Sequence, residues 1–198
     1  EPTAASPRYT GPVEIGKSAR FRATALREGG ENASYSREFA FSKSTGRPAV
    51  LNTKPNDSYT FEGASLLVDG YHSRPVFTSG AWLGYLDEPL DVTIDMGGEQ
   101  SYRSVELETL AEKGDWIFPP SSVTVWVSDN GTDFTEVASV TVPEAKAGDA
   151  DGIGRYRMQF PETSARYLKV VAQNAAAIPA WHPGAGSKGF LFVDEIVG

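Results

Sequence analysis

The chain has 198 residues, a net charge of −8 and no cysteine. The acidic charge argues against nucleic acid or an anionic membrane surface as the main partner, and the lack of cysteine excludes disulfides, thiolate zinc sites and cysteine catalysis. No apolar run is long enough to span a membrane, whereas a hydrophobic fraction of 40% is sufficient for a sizeable core.

Charge divides the chain into two parts. Residues 1–54 carry a net charge of +4, and residues 55–198 carry −12. The change falls in a stretch rich in Ser, Thr, Gly, Pro and Asn, which is typical of linkers. We therefore predict a first domain at residues 1–42, a linker at 43–54 and a second domain at 55–198.

Short β-strands are predicted along the whole chain. In the first part the strand-like stretches are RYTGPVEI, ARFRATALRE and YSREFAFSK. In the second part apolar and polar residues alternate in LDVTIDMGG, YRSVELETLAEKG and SVTVWVS, and Asn130-Gly131 predicts a tight hairpin turn after the last of these. GRYRMQF, ARYLKVVAQN and GFLFVDEIV follow. This pattern predicts an all-β antiparallel sandwich.

The glycine-rich stretch AWHPGAGSKG does not predict phosphate binding. A phosphate loop needs GxxxxGK[ST] between a strand and a helix, but here the spacing differs and a strand-like apolar run follows Gly189. Nucleotide binding is therefore set aside.

No catalytic machinery is visible in the sequence. His72 and His182 lack the spacing of a serine triad or of an HExxH zinc site. The acidic pairs at 87–88 and 194–195 are adjacent residues, and neighbours on a strand point to opposite faces, so neither pair forms opposed carboxylates. We predict that this fragment is not an enzyme.

Several motifs together resemble one family. LLVDGYHSRPVFTSGAWLGY, LDVTIDMGG, GDWIFPPSSVTVWVSDNGTDFTEV, ARYLKVVAQN and FLFVDEI follow, in this order, the pattern of discoidin domains, also called coagulation factor V/VIII C-type domains. Many bacterial members are carbohydrate-binding modules. The resemblance implies an eight-stranded β-sandwich jelly roll for residues 55–198.

Two further stretches resemble parts of glycosidases. WIFPP and AWHPGAGSKGFLFVDEI are similar to discoidin modules appended to bacterial β-N-acetylhexosaminidases, and EPTAASPRYTGPVEI is similar to the end of the immunoglobulin-like domain of chitobiase-type enzymes. The opening strands of that domain are absent, so residues 1–42 are expected to be a partial immunoglobulin-like sandwich. The resemblance implies a monomeric, extracellular or periplasmic accessory region that works beside a catalytic domain, without membrane insertion.

The resemblance also implies a structural calcium ion. In such modules calcium ties the loop after LxDG to an acidic residue near the C-terminus. The carboxylates would be Asp69 and Glu195, and backbone carbonyls are expected from Leu66, Tyr71 and Arg74. Oxygen ligands of this kind suit calcium. The alternative is that Asp69 caps the turn and Glu195 pairs with a nearby base.

Three tryptophans, Trp82, Trp116 and Trp181, lie in stretches predicted as loops. A loop tryptophan can present its ring face to a sugar while its N–H donates to a hydroxyl group. His182 and Lys188 could add donors, and Asp115 an acceptor.

Two functions therefore remain open. The first is a non-catalytic module that binds N-acetylhexosamine- or galactose-containing glycans for its parent glycosidase. The second is a structural spacer or protein-docking module without glycan affinity, in which the loop tryptophans cover the end of the sandwich. Exposure separates the two, because a glycan site needs Trp116 or Trp181 at the surface.

Overall fold

A computed structural model of the protein describes residues 2–27 and 33–198. Within these ranges the chain forms β-strands and short 3-10 helices and has no α-helix, and no helix there is long and apolar enough to cross a membrane. The strands are β1 (Ala19–Ala25), β2 (Ala33–Phe39), β3 (Ala49–Leu51), β4 (Leu83–Tyr85), β5 (Leu90–Ala111), β6 (Ser122–Ser128), β7 (Thr135–Thr141), β8 (Gly152–Gln173) and β9 (Leu191–Val197). The 3-10 helices span Asp57–Tyr59, Gly63–Val68, Phe77–Ser79 and Lys113–Asp115.

The two long strands, β5 and β8, pair with each other along their length and pass together from one layer of a sandwich to the other. The first layer of the sandwich contains β3, the first half of β5, the second half of β8, β6 and β7. The second layer contains the second half of β5, the first half of β8, β9 and β4. All pairs are antiparallel. Register shifts between Asp95 and Gln100 and between Tyr102 and Ser104 mark the bend, as expected of β-bulges.

The core lies between the two layers. In β5 the residues Val92, Ile94 and Met96 are buried and alternate with more exposed polar residues, which gives one face to the core. They belong to one buried cluster with Leu107 and Val193 of the opposite layer. The predicted all-β jelly-roll fold is confirmed. In the described part of the chain the sandwich has seven strands where eight were predicted, and β5 and β8 each serve both layers.

Four loops lie together at the end of the sandwich that is opposite to the bend in β5 and β8. They are residues 86–89, 112–121, 142–151 and 174–190, which we call the loop end. The Asn174 side chain donates to the backbone carbonyl of Tyr85 (3.0 Å), and Ser121 donates to the carbonyl of Asn174 (2.8 Å). These bonds connect loops of the two layers.

The N-terminal part forms a separate two-stranded antiparallel sheet, β1 with β2. The predicted strand RYTGPVEI is wrong: residues 8–15 are not in a strand and are mostly exposed. Residues 1 and 28–32 of the predicted first domain lie outside the described residues. The partial immunoglobulin-like sandwich stays a prediction.

Much of the stretch predicted as a linker, residues 43–54, packs on the sandwich. Ser44 is buried, and its hydroxyl donates to the carbonyl of Ile196 (2.5 Å). β3 pairs with residues 92–94 of β5. The turn-forming residues that suggested a linker instead form the turn that leads into the edge strand β3.

The hairpin between β6 and β7 is wider than predicted. Of the two turn residues only Gly131 has a positive φ angle, 77°. The Asn130 side chain accepts hydrogen bonds from the N–H groups of Thr132 and Asp133, both at 2.9 Å. Asn130 therefore organises the longer loop through its side chain, as asparagine does in turns.

Candidate functional site

Two tryptophan rings are exposed at the loop end. Trp116 is 43% exposed and Trp181 is 39% exposed. The His182 ring lies between them, nearly perpendicular to both, with ring centroids 6.0 Å from Trp116 and 5.6 Å from Trp181. Buried Phe118 lies against the same imidazole at 5.5 Å. We call Trp116, Trp181 and His182 the aromatic platform.

Trp116 occupies a strained backbone conformation. Glu112 and Ile117 pair across a narrow loop, and the 3-10 helix between them ends at Trp116 with φ 63° and ψ 26°. Among the described residues other than glycine, only Phe61 also has a positive φ. A side chain in this left-handed region costs about 1–2 kcal/mol, and glycine usually occupies it. The loop therefore retains a large exposed ring at the expense of backbone stability.

His182 does not have the predicted role of a sugar donor. Its Nε2–H donates to the backbone carbonyl of Lys113 (2.9 Å), and its Nδ1 accepts from the N–H of Gly184 (3.0 Å). The tautomer follows from these two partners. Since the ring is buried and both nitrogens are engaged, His182 holds the tryptophans apart and leaves sugar contacts to them.

The platform depends on the close approach of Gly184 to the Trp116 ring. A Cβ atom at residue 184 would lie 2.8 Å from Cζ2 of Trp116, closer than nonbonded atoms pack. The loop itself is closed by hydrogen bonds from Ile178 N–H to Ser187 (2.8 Å) and from Gly186 N–H to Ile178 (3.0 Å). These contacts hold the loop in a single shape.

Two further contacts join the platform to the loop at 142–151. The indole N–H of Trp181 donates to the carbonyl of Ala145 (2.9 Å). Lys113 is buried, donates to the carbonyl of Asp149 (2.8 Å) and pairs with the Asp151 carboxylate. The Lys113 hydrogen bond is the largest cause that lowers the pKa of Asp151.

The other predicted polar residues lie at the surface of the loop end. Lys188 forms an exposed salt bridge with Asp87 (2.7 Å) and is not free to donate to a sugar without breaking it. Asp115 is exposed next to Trp116. The neighbouring Glu112 has a raised pKa, first because of partial burial and then because Asp115 and Asp151 repel its charge.

Trp82 lies in the core, which contradicts its predicted role in sugar stacking. Its ring is completely buried with Leu110, Ile117 and Phe192. The indole N–H donates to the carbonyl of Arg74 (2.9 Å). Trp82 comes immediately before the buried strand β4, so its ring also lies in the core.

A second group of polar side chains lies in the interior around the middle of β9. A register shift between Leu107 and Thr109 of β5 places Glu108 opposite Asp194 and Glu195. All three are almost completely buried. Together with Asp69 we call them the buried carboxylate cluster. The bulge removes the alternation that would have sent residues 194 and 195 to different environments.

Backbone N–H groups of the loop at residues 70–73 donate hydrogen bonds to these carboxylates. Glu195 accepts from Gly70 N–H through both oxygens (3.2 Å each), Asp194 accepts from Ser73 N–H (2.8 Å), and the Asp69 side chain accepts from Tyr71 N–H (2.7 Å). Burial, followed by repulsion from Asp69 and Asp194, raises the pKa of Glu195 to about 9. Burial likewise raises the pKa of Asp194 to about 8, and that of Asp69 is also raised.

Glu108 is compensated by cationic partners. Its carboxylate accepts from Nδ1 of His72 (3.0 Å) and from Nε of Arg155 (2.8 Å). The hydrogen bond that His72 donates to Glu108 raises the pKa of His72. Sequence reasoning missed this network, although two acidic residues inside the apolar run FLFVDEIV were a signal that they need buried partners.

The predicted calcium ligands fit only in part. Asp69 and Glu195 come together, as their electrostatic interaction shows. Leu66 lies in the 3-10 helix Gly63–Val68, which ends at Asp69, and Tyr71 lies in the turn that follows. The carbonyl of Arg74, however, accepts from the Trp82 indole (2.9 Å) and from Val76 N–H (2.7 Å). This carbonyl is therefore not available, and the prediction for Arg74 is wrong. In residues 2–27 and 33–198 no three His, Asp or Glu side chains form a metal-binding group.

Similar solved structures are carbohydrate-binding modules. Chitosan-binding module 2 of a chitosanase/glucanase from Paenibacillus sp. IK-5, in complex with chitotriose, has 17% identity and a TM-score of 0.50, with coverage of 79% of this chain and 100% of that chain. The CBM32-5 module from Clostridium perfringens, in complex with GalNAc-β-1,3-galactose, has 16% identity and a TM-score of 0.49, with coverage of 75% and 91%. A fucose-binding module from Streptococcus pneumoniae has 21% identity and a TM-score of 0.48, with coverage of 79% and 92%.

These identities establish the fold alone. No curated protein shows significant sequence similarity to the chain. The sequence profile of the F5/8 type C domain, in contrast, matches residues 52–188, which is more than half of the chain. This protein is a member of the F5/8 type C domain family.

Proposed function

We propose that the protein is a non-catalytic glycan-binding module that accompanies a glycoside hydrolase. The observation that carries this proposal is the exposure of both Trp116 and Trp181 at the loop end, whereas Trp82 is buried. A spacer that used its loop tryptophans only to cover the sandwich would bury them. Exposed indoles beside carboxylates are instead the combination that sugar rings and hydroxyl groups contact.

The rigidity of the platform supports the same function. The His182 ring donates to the carbonyl of Lys113 and the Trp181 indole donates to the carbonyl of Ala145. These bonds hold the platform in place, so little conformational entropy is lost when a ligand binds. Trp116 keeps an exposed ring in a strained backbone conformation, and retained strain is typical of functional positions. Because the platform is small and open, we expect weak binding.

The parent enzyme is proposed to be a secreted β-N-acetylhexosaminidase that acts outside the cytoplasm or in the periplasm. The proposal is supported by the resemblance of WIFPP and AWHPGAGSKGFLFVDEI to modules of such enzymes. A chitosan-binding module of the same fold has been solved in complex with chitotriose, which is compatible with a ligand of the hexosamine class. If the proposal is correct, removal of this region lowers turnover of an insoluble glycan by the parent enzyme and leaves turnover of a soluble chromogenic substrate unchanged.

We further propose that calcium binds between Asp69 and Glu195, with carbonyl ligands from Leu66 and Tyr71. The support is the chemistry of the group: buried carboxylates with raised pKa values, for which the structure supplies backbone N–H donors but few cations. Calcium would join the loop at 69–73 to β9 and so stabilise the folded state. Its role would be structural.

Glycan titration of the wild type and three variants tests the main proposal. N-acetylglucosamine and galactose oligosaccharides are titrated by calorimetry against wild type, Trp116→Ala, Trp181→Ala and the control Tyr35→Ala. Tyr35 is 53% exposed but lies in β2, away from the loop end. We expect binding by wild type and control, and its loss in the two tryptophan variants. Absence of binding by folded wild type would support the spacer function, and equal binding by all variants would place the site elsewhere.

A further inference from the structure

We propose that the loop at residues 69–71 couples the N-terminal sheet, β1 with β2, to the buried carboxylate cluster, so that a change at the cluster loosens the attachment of the sheet to the sandwich. This inference concerns a different part of the molecule from the aromatic platform, and it requires neither a glycan nor a calcium ion. It explains how the direction in which the chain enters the sandwich is fixed.

The first argument is that Gly70 forms hydrogen bonds on both sides of the loop. Its N–H donates to both carboxylate oxygens of Glu195 (3.2 Å each), and its carbonyl accepts from the N–H of Ala40 (2.7 Å). Gly70 has φ 74°, and a Cβ atom there would lie only 3.0 Å from Cγ2 of Thr45, so glycine suits this close approach. A single residue thus connects β9 to the end of β2.

The second argument is the packing of β2 side chains on Tyr71. The guanidinium carbon of Arg37 lies 3.5 Å from the centroid of the Tyr71 ring, and the Phe39 ring lies 6.3 Å from it, centroid to centroid. Arg37 and Phe39 are two residues apart in a strand and so point to the same face of β2. A guanidinium group above an aromatic ring is attracted by the quadrupole of the ring. One face of β2 is therefore held against the loop.

The third argument is that the N-terminal sheet has little other support. Within residues 2–27 and 33–198, β1 and β2 form a sheet of their own, and the bridge between Phe39 and Tyr71 is their one backbone pairing with the sandwich. A two-stranded sheet is only marginally stable by itself in water. The stability of this sheet therefore depends on the position of the loop.

Arg37 also acts on the carboxylate cluster through its charge. Burial raises the pKa of Asp69, whereas the hydrogen bond from Tyr71 N–H and the positive charge of Arg37 act in the opposite direction. The sheet and the cluster thus interact with one loop through backbone hydrogen bonds, ring packing and charge.

Amide hydrogen exchange of the intact chain, measured by NMR with a chelator and without glycan, tests the coupling. Glu195→Ala removes the acceptor of the Gly70 N–H, so the amide protons of Ala40 and of β2 should exchange at least about 5-fold faster, which corresponds to the loss of one hydrogen bond. Glu195→Gln keeps one acceptor and should have a smaller effect in the same direction, and it serves if Glu195→Ala does not fold. The control is Val125→Ala, a core change in β6, which pairs with β7 and β8; it should leave exchange in the sheet unchanged.

The reverse experiment starts from the sheet, because coupling between two sites is reciprocal. Arg37→Ala should accelerate exchange of the Gly70 amide, whose proton is bound by Glu195. Arg20→Ala is the matched control, since Arg20 lies in β1 and pairs with Glu38 (2.7 Å); it should leave the Gly70 amide unchanged.

Two outcomes would overturn the coupling. The first is a folded Glu195 variant in which the sheet exchanges as in the wild type. The second is an equal effect of Arg37→Ala and Arg20→Ala on the Gly70 amide. Neither outcome bears on glycan or calcium binding, because both ligands are absent from the experiment.

Discussion

The loop end and the buried carboxylate cluster both concentrate acidic side chains, yet they place them in opposite surroundings. Asp115 is exposed to solvent beside an aromatic ring, whereas Glu195 is 0% exposed and accepts backbone hydrogen bonds. An exposed carboxylate keeps its charge at little cost and can act on a ligand. A buried carboxylate must be neutralised by a proton, a base or a metal ion. The same residue types thus lie on the proposed glycan-binding surface at one end and inside the fold at the other.

Removal of Glu195 should have the largest effect on stability. Glu195→Ala leaves the Gly70 N–H without its acceptor and opens a cavity in β9, so we expect a loss of about 3 kcal/mol in the free energy of unfolding. Glu195→Gln keeps the volume and one acceptor and should cost less. Urea unfolding measures both, with exposed Glu99→Ala as control. A Glu195→Ala protein as stable as the control would show that the cluster does not hold the loop to β9.

Calcium should stabilise the protein more at pH 8 than at pH 5. The pKa values of Asp194 and Glu195 are raised to about 8 and about 9. As pH rises above about 4, the unfolded chain releases these protons and the folded chain keeps them, so stability without calcium falls with pH. Calcium needs deprotonated ligands and competes with fewer protons at pH 8.

Melting temperatures with calcium and with a chelator, at both pH values, check this expectation. Glu195→Gln should lose most of the calcium effect. The same calcium-induced shift at pH 5 and pH 8 would be incompatible with binding at these carboxylates.

Gly184→Ala should disturb the platform more than the sandwich. The added methyl group would collide with the Trp116 ring, which can move towards solvent, so we expect a loss of about 1 kcal/mol in stability but clearly weaker glycan binding. Gly148→Ala, at a loop-end position with nothing within 4 Å of the added atom, is the matched control. If both variants bind glycans like the wild type, the position of the Trp116 ring is irrelevant to binding.

The smallest effect concerns backbone strain at the two tryptophans. Trp116 has φ 63°, whereas Trp181 has no positive φ. Trp116→Gly should therefore be more stable than Trp116→Ala by about 1 kcal/mol, and the order should reverse at residue 181. Thermal unfolding of the four variants measures both differences. An identical order at both positions would mean that Trp116 is not strained.

Sequence reasoning identified Trp116 and Trp181 but could not separate them from Trp82. All three lie between strand-like stretches, and local sequence contains no information on which loop ring packs into the small buried cluster of Leu110, Ile117 and Phe192. The exposure of Trp116 follows from a left-handed turn, and that of Trp181 from a loop closed around His182. Both depend on contacts between residues far apart in sequence, as does the burial of Trp82 against Phe192.

The all-β fold was predictable because alternation along β5, β6 and β8 is a local signal. Asp194 and Glu195 show where that signal fails: the prediction assumed a regular strand, and the bulge opposite Glu108 buries both. The stretch at 43–54 shows the second kind of failure. Its composition indicates turns, but β3 is held there by pairing with β5, which composition does not record.

The 22-residue strands β5 and β8 have a consequence for how the molecule comes apart. Since each runs through both layers, neither layer can peel away without breaking hydrogen bonds in the other, so amide protons of both layers should exchange in one concerted opening. Since the chain has no cysteine, no disulfide connects the layers, and the backbone of β5 and β8 is their covalent connection at the bend. At the loop end no strand connects the layers, and hydrogen bonds between loops join them instead. Two of these are the bonds from His182 to the carbonyl of Lys113 and from Asn174 to the carbonyl of Tyr85. A ligand that contacts both Trp116 and Trp181 would add a further connection between these loops and so stabilise the loop end.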